Sequence, residues 1–363
     1  MTQLILVGGF LGAGKTTMLH QAAQKISATG KKVGLITNDQ ATDLVDTFLL
    51  SDTGIPTKEV SGSCFCCNFP GFFAAVESLQ KSGAEVIIAE PVGSCTDLVA
   101  TIVQPVKKFH VEIQLSRFSV LLDPVMLQEV LGLKETILEK DGAYIVLKQM
   151  EEADILAINK SDTLSEEEQK ALLAAVEARF PGKPVLTISG KTGAGVDAWL
   201  ELVGDTSADV GTAKIDVDYD RYAHGEAILG WMNCSATPAW KRSADVPGFL
   251  SALFAAIQKK LKAENIAVGH LKATLYDSTV CGFVNLTHLD AEPAVWTRSV
   301  PAHAPLLILN VRIQTSPEHL EKLVREALET DCAEIAEVKI LEFRCFQPGR
   351  PNPTYRVKQS EYV

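Results

Sequence analysis

The sequence predicts an α/β protein: a nucleotide-binding domain built on a mostly parallel sheet, followed by a smaller ferredoxin-like α+β domain. Three observations carry this expectation. The apolar run Leu4-Ile5-Leu6-Val7 leads directly into a glycine-rich turn and a helix-like segment, Met18 to Ile26. Short apolar runs then alternate with helical patterns as far as Leu202. Past Gly204 to Lys214, a stretch rich in Gly, Ser, Thr, Ala and Asp, the texture changes to strand–helix–strand units. The expected limits are 1–204 for the first domain, 205–218 for a linker, 219–347 for the second domain and 348–363 for a proline-rich tail. The 363 residues fit two domains at a prior of ~150 residues each.

Bulk composition narrows the function classes. Hydrophobic residues are 47% and charged residues 22%, as in soluble globular proteins. A net charge of −11 argues against nucleic acid as a partner, because a phosphate backbone needs a basic face. The N-terminus has no basic n-region, and no apolar run is long enough to span a bilayer. The expectation is a cytoplasmic protein without a membrane partner, whose eight cysteines stay reduced.

The first strand runs into Gly8-Gly9-Phe10-Leu11-Gly12-Ala13-Gly14-Lys15-Thr16-Thr17. Gly9 to Thr16 fit G-x-x-x-x-G-K-[ST], which makes the first domain a P-loop NTPase. Glycines let successive N–H groups turn toward a polyphosphate, and the helix that follows adds its positive end. Gly9, Gly12, Ala13, Gly14 and Thr17 are the cradle, Lys15 reaches the β- and γ-phosphates, and the Thr16 hydroxyl ligates Mg²⁺.

Lys32 to Thr37 reads as a second strand and completes a βαβ unit. The acidic segment from Gln40 to Pro56 follows, with Asp39, Thr42, Asp43 and Asp46 near its start, where a switch loop meets a γ-phosphate. Asp39 and Thr42 are its candidates, and Asp39 is taken as the catalytic acid. Next come Cys64, Cys66 and Cys67, three thiols within four positions. Thiolates are soft ligands for late transition metals. Cys64 and Cys66 alternate on an extended loop, and Cys67 can fold back toward them. A redox dithiol at the Cys64–Cys67 spacing and plain apolar packing are the competing readings. The other five cysteines, Cys95 among them, look scattered.

Phe72 to Lys81 reads as a helix, and Glu85 to Ala89 as a third strand ending at Glu90. An acid at the end of a buried strand near a phosphate loop holds Mg²⁺, and Gly93 can offer its N–H to the γ-phosphate. A fourth strand spans Arg117 to Leu122, and a helix runs from Pro124 to about Leu133. A fifth strand, Ile155 to Ile158, ends in Asn159-Lys160-Ser161-Asp162. N-K-x-D reads guanine. Asp162 accepts from N1–H and the 2-amino group, Asn159 steadies the loop, and the Lys160 stem lies along the ring. A charged helix covers Ser165 to Phe180, with Ser165 as its cap. A sixth strand, Pro184 to Ile188, leads into Ser189 and Lys191, which resemble the S-x-K loop behind the guanine.

In the second domain, Ala223 to Asn233 reads as a strand and Val246 to Lys262 as a helix. His270–Tyr276 and Val280–His288 read as a hairpin about Asp277-Ser278. Leu306 to Gln314, Pro317 to Glu329 and Glu337 to Phe346 follow as strand, helix and strand. His224, His270 and His288 fall on these strands as lone histidines, usually structural or solvated.

These residues resemble the CobW-like metal-chaperone GTPases, relatives of the urease and hydrogenase nickel-insertion GTPases and of the SIMIBI type. The likeness rests on Gly8 to Thr17, on Cys64-Phe65-Cys66-Cys67 as a C-x-C-C motif, and on Gln149 to Asp162 as Q-x-x-x-A-D running into N-K-x-D. It covers the first ~200 residues well and the second domain only in layout. It implies slow GTP hydrolysis to GDP and phosphate with Mg²⁺, and Zn²⁺, Co²⁺ or Ni²⁺ at the thiols. Delivery would go to a client metalloenzyme or a cobalamin-related protein, from a monomer or homodimer. The sequence departs from the family's pattern at Ser63, at Pro91-Val92, after Asn38 and in lacking a histidine-rich stretch. A second reading stays open: a GTP-dependent conformational activator of a corrinoid or methyl-transfer enzyme, with structural cysteines.

Overall fold

The N-terminal apolar run forms β1 (Thr2–Gly9), buried from Leu4 onward. A strand without an exposed face belongs in the middle of a sheet covered on both sides. The computed structural model of the chain describes residues 1–38, 45, 54–136 and 138–363. Asp39, Thr42, Asp43 and Asp46 therefore lie outside the described residues.

Seven further strands surround β1: β2 (Val33–Asn38), β3 (Thr57–Val60), β4 (Val86–Ala89), β5 (Ile113–Leu115), β6 (Ser119–Leu122), β7 (Ile155–Ile158) and β8 (Val185–Thr187). Their order is β3-β2-β4-β1-β6-β7-β8, with β5 alongside the start of β1. Every pairing is parallel. Consequently Gly9, Glu90, Asp123, Asn159 and Ser189 all emerge at the carboxyl edge of one sheet, where α/β proteins bind ligands. Helix Lys15–Ala28 covers the sheet through Met18, Leu19, Ala22 and Ala23. Helix Phe69–Lys81 starts at Asn68, whose side chain accepts the Gly71 N–H, and buries Phe69, Phe72, Phe73, Val76 and Leu79.

Contact clustering divides the described chain into two compact units. The first takes residues 1–38, 54–225 and Arg350–Val363, and the second takes Glu226–Gly349 with Val45. The loop-like stretch 204–214 lies inside the first unit. The strand expected over Ala223–Asn233 is instead the end of a helix, Tyr219–Ala227, and the start of β9 (Gly230–Trp240). Tyr219 and Tyr222, one helical turn apart, explain this. Tyr222 is buried, its hydroxyl accepts the Thr96 N–H, and the Tyr219 hydroxyl donates to Asp97. His224 thus sits on a helix of the first unit, 2.8 Å from the Asp141 carboxylate. His288 follows a strand rather than lying on one.

The second unit comprises β9, helix Val246–Glu264, β10 (Val268–Leu286), β11 (Trp296–Ile313), helix Pro317–Glu326 and β12 (Ala336–Phe346). Its antiparallel order, β10-β11-β9-β12, is the ferredoxin-like arrangement. Phe249, Leu253, Phe254 and Ile257 join Leu320, Leu323 and Val324 in its core. The hairpin expected at Asp277-Ser278 is not one. β10 continues through it against β11, with register shifts on either side of Ser278 (φ 51°). A two-residue hairpin of type I′ needs positive φ at both central residues.

The proline-rich tail has no helix or strand beyond a 3₁₀ turn at Gln359–Glu361, yet it is tied to the first unit. Val357 N–H donates to Ala100 O at 2.9 Å, and Arg356 Nε donates to the buried Asp97 carboxylate at 2.6 Å. Burial pushes the Asp97 carboxyl up, against the pull of Arg356 and Tyr219. Glu152 lies beside it, fully enclosed. It accepts from Thr96 Oγ1 and Val99 N–H, each at 3.0 Å. Burial, with Asp97 nearby, pushes the Glu152 carboxyl up to about 8.

Two predictions follow from this network. Arg356→Ala leaves Asp97 buried with Tyr219 alone and lowers unfolding free energy in urea by about 1–3 kcal/mol, discounted because the guanidinium is partly exposed. For Glu152, the unfolded carboxyl releases its proton above about pH 4.5 while the folded one keeps it to about pH 8. Stability from this group therefore falls as pH rises through that window. Glu152→Gln copies the protonated form and removes the slope, so the variant gains on wild type by on the order of 3 kcal/mol between pH 5 and pH 8. Parallel urea titrations at the two pH values measure it, and an unchanged slope refutes it.

Candidate functional site

Strand β1 delivers its last residue, Gly9, against β6, where a Cβ would stand 2.5 Å from the Leu121 carbonyl oxygen. Gly12 and Gly14 take φ of 80° and 84°, conformations that cost other residues dearly. Together they curl the loop over the start of the first helix, whose N–H groups face the hollow. Lys15 Nζ donates across the loop to Gly9 O at 2.8 Å and to Phe10 O at 3.4 Å. Ala13 and Thr16 are buried, and Thr17 is exposed. Thr16 Oγ1 donates to Glu90 at 3.1 and 3.2 Å from its two oxygens. A hydroxyl and a carboxylate so placed at a phosphate loop are a donor set that fits Mg²⁺.

At the other end of the sheet's carboxyl edge, Asn159 Nδ2 donates to Ala13 O at 2.8 Å and its Oδ1 accepts the Gly190 N–H at 2.9 Å. One side chain thereby ties the phosphate loop to both base-reading loops. Lys160 has φ 58° and its ammonium pairs with Asp123 at 2.7 Å. Asp123 also caps helix Pro124–Val130, which fixes it in place. Ser189 Oγ donates to Asp162 at 2.6 Å. Lys191 is exposed on the same loop.

The cysteine loop hangs from the end of β2. Asn38 Nδ2 donates to Val60 O and Ser63 O, and Asn38 Oδ1 accepts the Phe65 N–H. Cys67 and Asn68 N–H both donate to Cys64 O, folding the chain so that three sulfurs converge. Cys64, Cys66 and Cys67 Sγ lie within 4.8 Å of one another, close enough to share a metal ion. The Cys64–Cys66 separation is 2.9 Å and Cys66–Cys67 is 3.8 Å. Hydrogen bonds from Cys66 and the other neighbouring thiols hold Cys64 far below the ordinary thiol range. The same contact with Cys64 pushes Cys66 up and Cys67 to about 11.

Several parts of this site carried no sequence signal. Gln149 Nε2 donates to Gly93 O at 2.9 Å and Cys95 O at 2.8 Å, holding the segment after β4. Its Q-x-x-x-A-D context marked it but did not say what it grips. The tail returns over the thiols: Asn352 N–H donates to Cys67 Sγ at 3.2 Å, and Thr354 donates to Cys66 O and Cys67 O. Nothing local announces a contact across nearly the whole chain. A second group brings donor atoms of Glu139, Asp141 and His224 within 4.8 Å of one another, and Asp141 also pairs with Arg221.

The chain is similar to known proteins. It shares 30% identity over 178 residues with "Zinc chaperone YeiR" of Escherichia coli K12, covering 47% of this chain and 50% of that one. It shares 27% over 235 residues with "Zinc chaperone CobW" of a Sinorhizobium species, covering 58% and 65%. The match thus spans between half and two thirds of the length of these curated relatives. Among solved structures, the Zn(II)-bound YjiA GTPase of E. coli aligns with 89% of this chain and 96% of its own at 16% identity, with a TM-score of 0.38. Among the described residues, no helix is long and apolar enough to cross a membrane. The family described as CobW/HypB/UreG, nucleotide-binding domain, matches residues 3–187, over half of the sequence, and the chain belongs to it.

Proposed function

We propose that the chain is a GTP-hydrolysing metallochaperone that holds Zn²⁺, Co²⁺ or Ni²⁺ at Cys64, Cys66 and Cys67. It works in the cytoplasm, as a monomer or homodimer, and passes the ion to a client metalloenzyme or a cobalamin-related protein. One observation carries this reading. Residues 90–95 run from the Thr16–Glu90 pair, past the phosphate loop at Gly93, to Cys95 at the thiols. The zinc-chaperone relatives support the choice of cargo.

In this reading Asp162 accepts from guanine N1–H and the 2-amino group, steadied by Ser189, with the Lys160 stem along the base and Lys191 at its edge. Lys15 exchanges the Gly9 and Phe10 carbonyls for β- and γ-phosphate oxygens. The loop N–H groups from Gly12 to Thr17 take up the remaining oxygens. Mg²⁺, held by Thr16 Oγ1 and Glu90, would neutralise charge on the bridging phosphates. A Cβ on Gly93 would come within 3.0 Å of Leu11 N and Lys15 Nζ, so Gly93 packs against the phosphate loop, and its N–H is assigned to the γ-phosphate. Asp39 is the assigned catalytic acid of the segment after β2. Loss of the γ-phosphate releases Gly93 and lowers affinity for the metal.

Burial of Cys64 and Cys66 favours the second reading, an activator of a corrinoid or methyl-transfer enzyme with structural cysteines. Zn²⁺ affinity, measured against a chromophoric chelator, separates the two. We expect at least about tenfold tighter binding with a non-hydrolysable GTP analogue and Mg²⁺ than with GDP. Equal affinities, or no stoichiometric Zn²⁺, would sink the metallochaperone. For the base, Asp162→Asn replaces an acceptor with a donor, so GTP affinity falls at least about a hundredfold while xanthosine triphosphate binding rises. Unchanged GTP affinity would remove Asp162 from the guanine site.

A further inference from the structure

Three thiols leave a transition metal one ligand short of the tetrahedral set that Zn²⁺ takes in closed sites. We propose that Cys95 supplies the fourth sulfur, so that the ion sits in a four-thiolate site assembled from two loops. The proposal rests on the metal-handling reading above and specifies its ligand set.

Cys95 lies 28 residues beyond Cys67 in sequence and on a different loop, yet its thiol is a neighbour that acts on both Cys64 and Cys66, just outside the group of three sulfurs that lie within 4.8 Å of one another. It is 1% exposed. A buried cysteine is ordinarily a small apolar filler among carbon atoms. This one is directed at two sulfurs already grouped with a third. Its backbone is also held from both sides. Cys95 N–H donates to Val92 O at 2.9 Å, and Cys95 O accepts from Gln149 Nε2 at 2.8 Å. A ligand on such a fixed mount loses little freedom on binding.

The distances among the first three sulfurs suit an ion, and Cys95 has to draw in from outside their group to complete the set. With zinc–sulfur bonds of about 2.3 Å, the edge of a tetrahedron of sulfurs is about 3.8 Å. Cys66 and Cys67 already stand at 3.8 Å, and Cys64 and Cys66, at 2.9 Å, have only to open. The outer contacts suit thiolates as well. Asn352 N–H donates to Cys67 Sγ, a bond that strengthens when the sulfur carries charge.

The site also has a direction. Glu90, Gly93 and Cys95 occupy one six-residue segment, so the fourth ligand rides on the same backbone as the groups that face Thr16 and Lys15. The other three thiols hang from Asn38. A displacement of the first segment relative to the second changes the ligand count.

Zinc K-edge X-ray absorption on the full chain loaded with one Zn²⁺ counts the sulfurs. We expect four in wild type, and three with one lighter atom in Cys95→Ser, while Cys345→Ser, in the second unit, keeps four. Co²⁺ substitution gives a second readout. The thiolate-to-cobalt absorption falls by about one quarter in Cys95→Ser, and affinity falls by more than the ~10- to 100-fold that loss of an outer hydrogen-bond partner of a ligand costs. Three sulfurs in wild type, or an unchanged count in folded Cys95→Ser, overturn the proposal and leave the metal-handling reading standing. Failure of wild type to bind Zn²⁺ or Co²⁺ overturns both. The wild-type count alone decides the matter if the variant does not fold.

Discussion

One carboxamide clamps the backbone between Gly93 and Cys95: Gln149 Nε2 donates to both of their carbonyls. Gln149 is itself buried on helix Lys140–Glu152, with its Oε1 left without a hydrogen-bond partner. Two carbonyls two residues apart cannot move independently when one amide donates to both. Whatever displaces Gly93 displaces Cys95.

The layer beneath makes that segment a lever and not merely a loop. Thr96, Asp97 and Val99 follow it immediately, and each is engaged by a buried group. Tyr222 and Glu152 hold Thr96, Tyr219 and Arg356 hold Asp97, and Glu152 holds the Val99 N–H. Those contacts come from three separate parts of the chain: the helix before β7, the helix at 219–227 and the tail. Two carboxyl groups buried side by side are expensive to ionise. A protonated Glu152 beside a paired Asp97 resolves the conflict, and it makes the floor of the lever firmer at low pH than at high pH.

What could be read from the sequence divides along the same line. The phosphate loop, the N-K-x-D turn and the three clustered cysteines are local patterns whose residues act through backbone a few positions away. The parallel sheet and the ferredoxin-like unit were legible for a related reason, since alternating apolar runs and helical periods encode them directly. Contacts that close over long separations were not legible. Cys95 looked scattered because its partners stand on another loop, and its own neighbours, Ser94 and Thr96, say nothing of metal. The tail looked structureless because prolines exclude helix and strand, but hydrogen bonds to Cys66, Cys67 and Ala100 need neither. The strand expected over Ala223–Asn233 overran the end of the helix at 219–227, whose two tyrosines pack at helical spacing against groups that no window around them contains. Asp123 was read only as the end of a strand, although it both caps a helix and pairs with Lys160.

A carrier of metal must hold its cargo and then let it go, and these demands conflict at a site of fixed ligands. Four thiolates on one rigid loop would retain zinc indefinitely, and three on a flexible loop would lose it to any competing chelator. In the proposed site, splitting the ligands between a loop hung from Asn38 and a segment clamped by Gln149 would avoid both outcomes. Losing even an outer hydrogen-bond partner of a ligand weakens a metal site by about 10- to 100-fold, or roughly 1.4–2.8 kcal/mol, and losing a ligand costs no less. Allosteric coupling energies are typically 1–3 kcal/mol. Contacts from Gly93 to a γ-phosphate can therefore supply a bias of the size needed, without unfolding the loop or moving a domain.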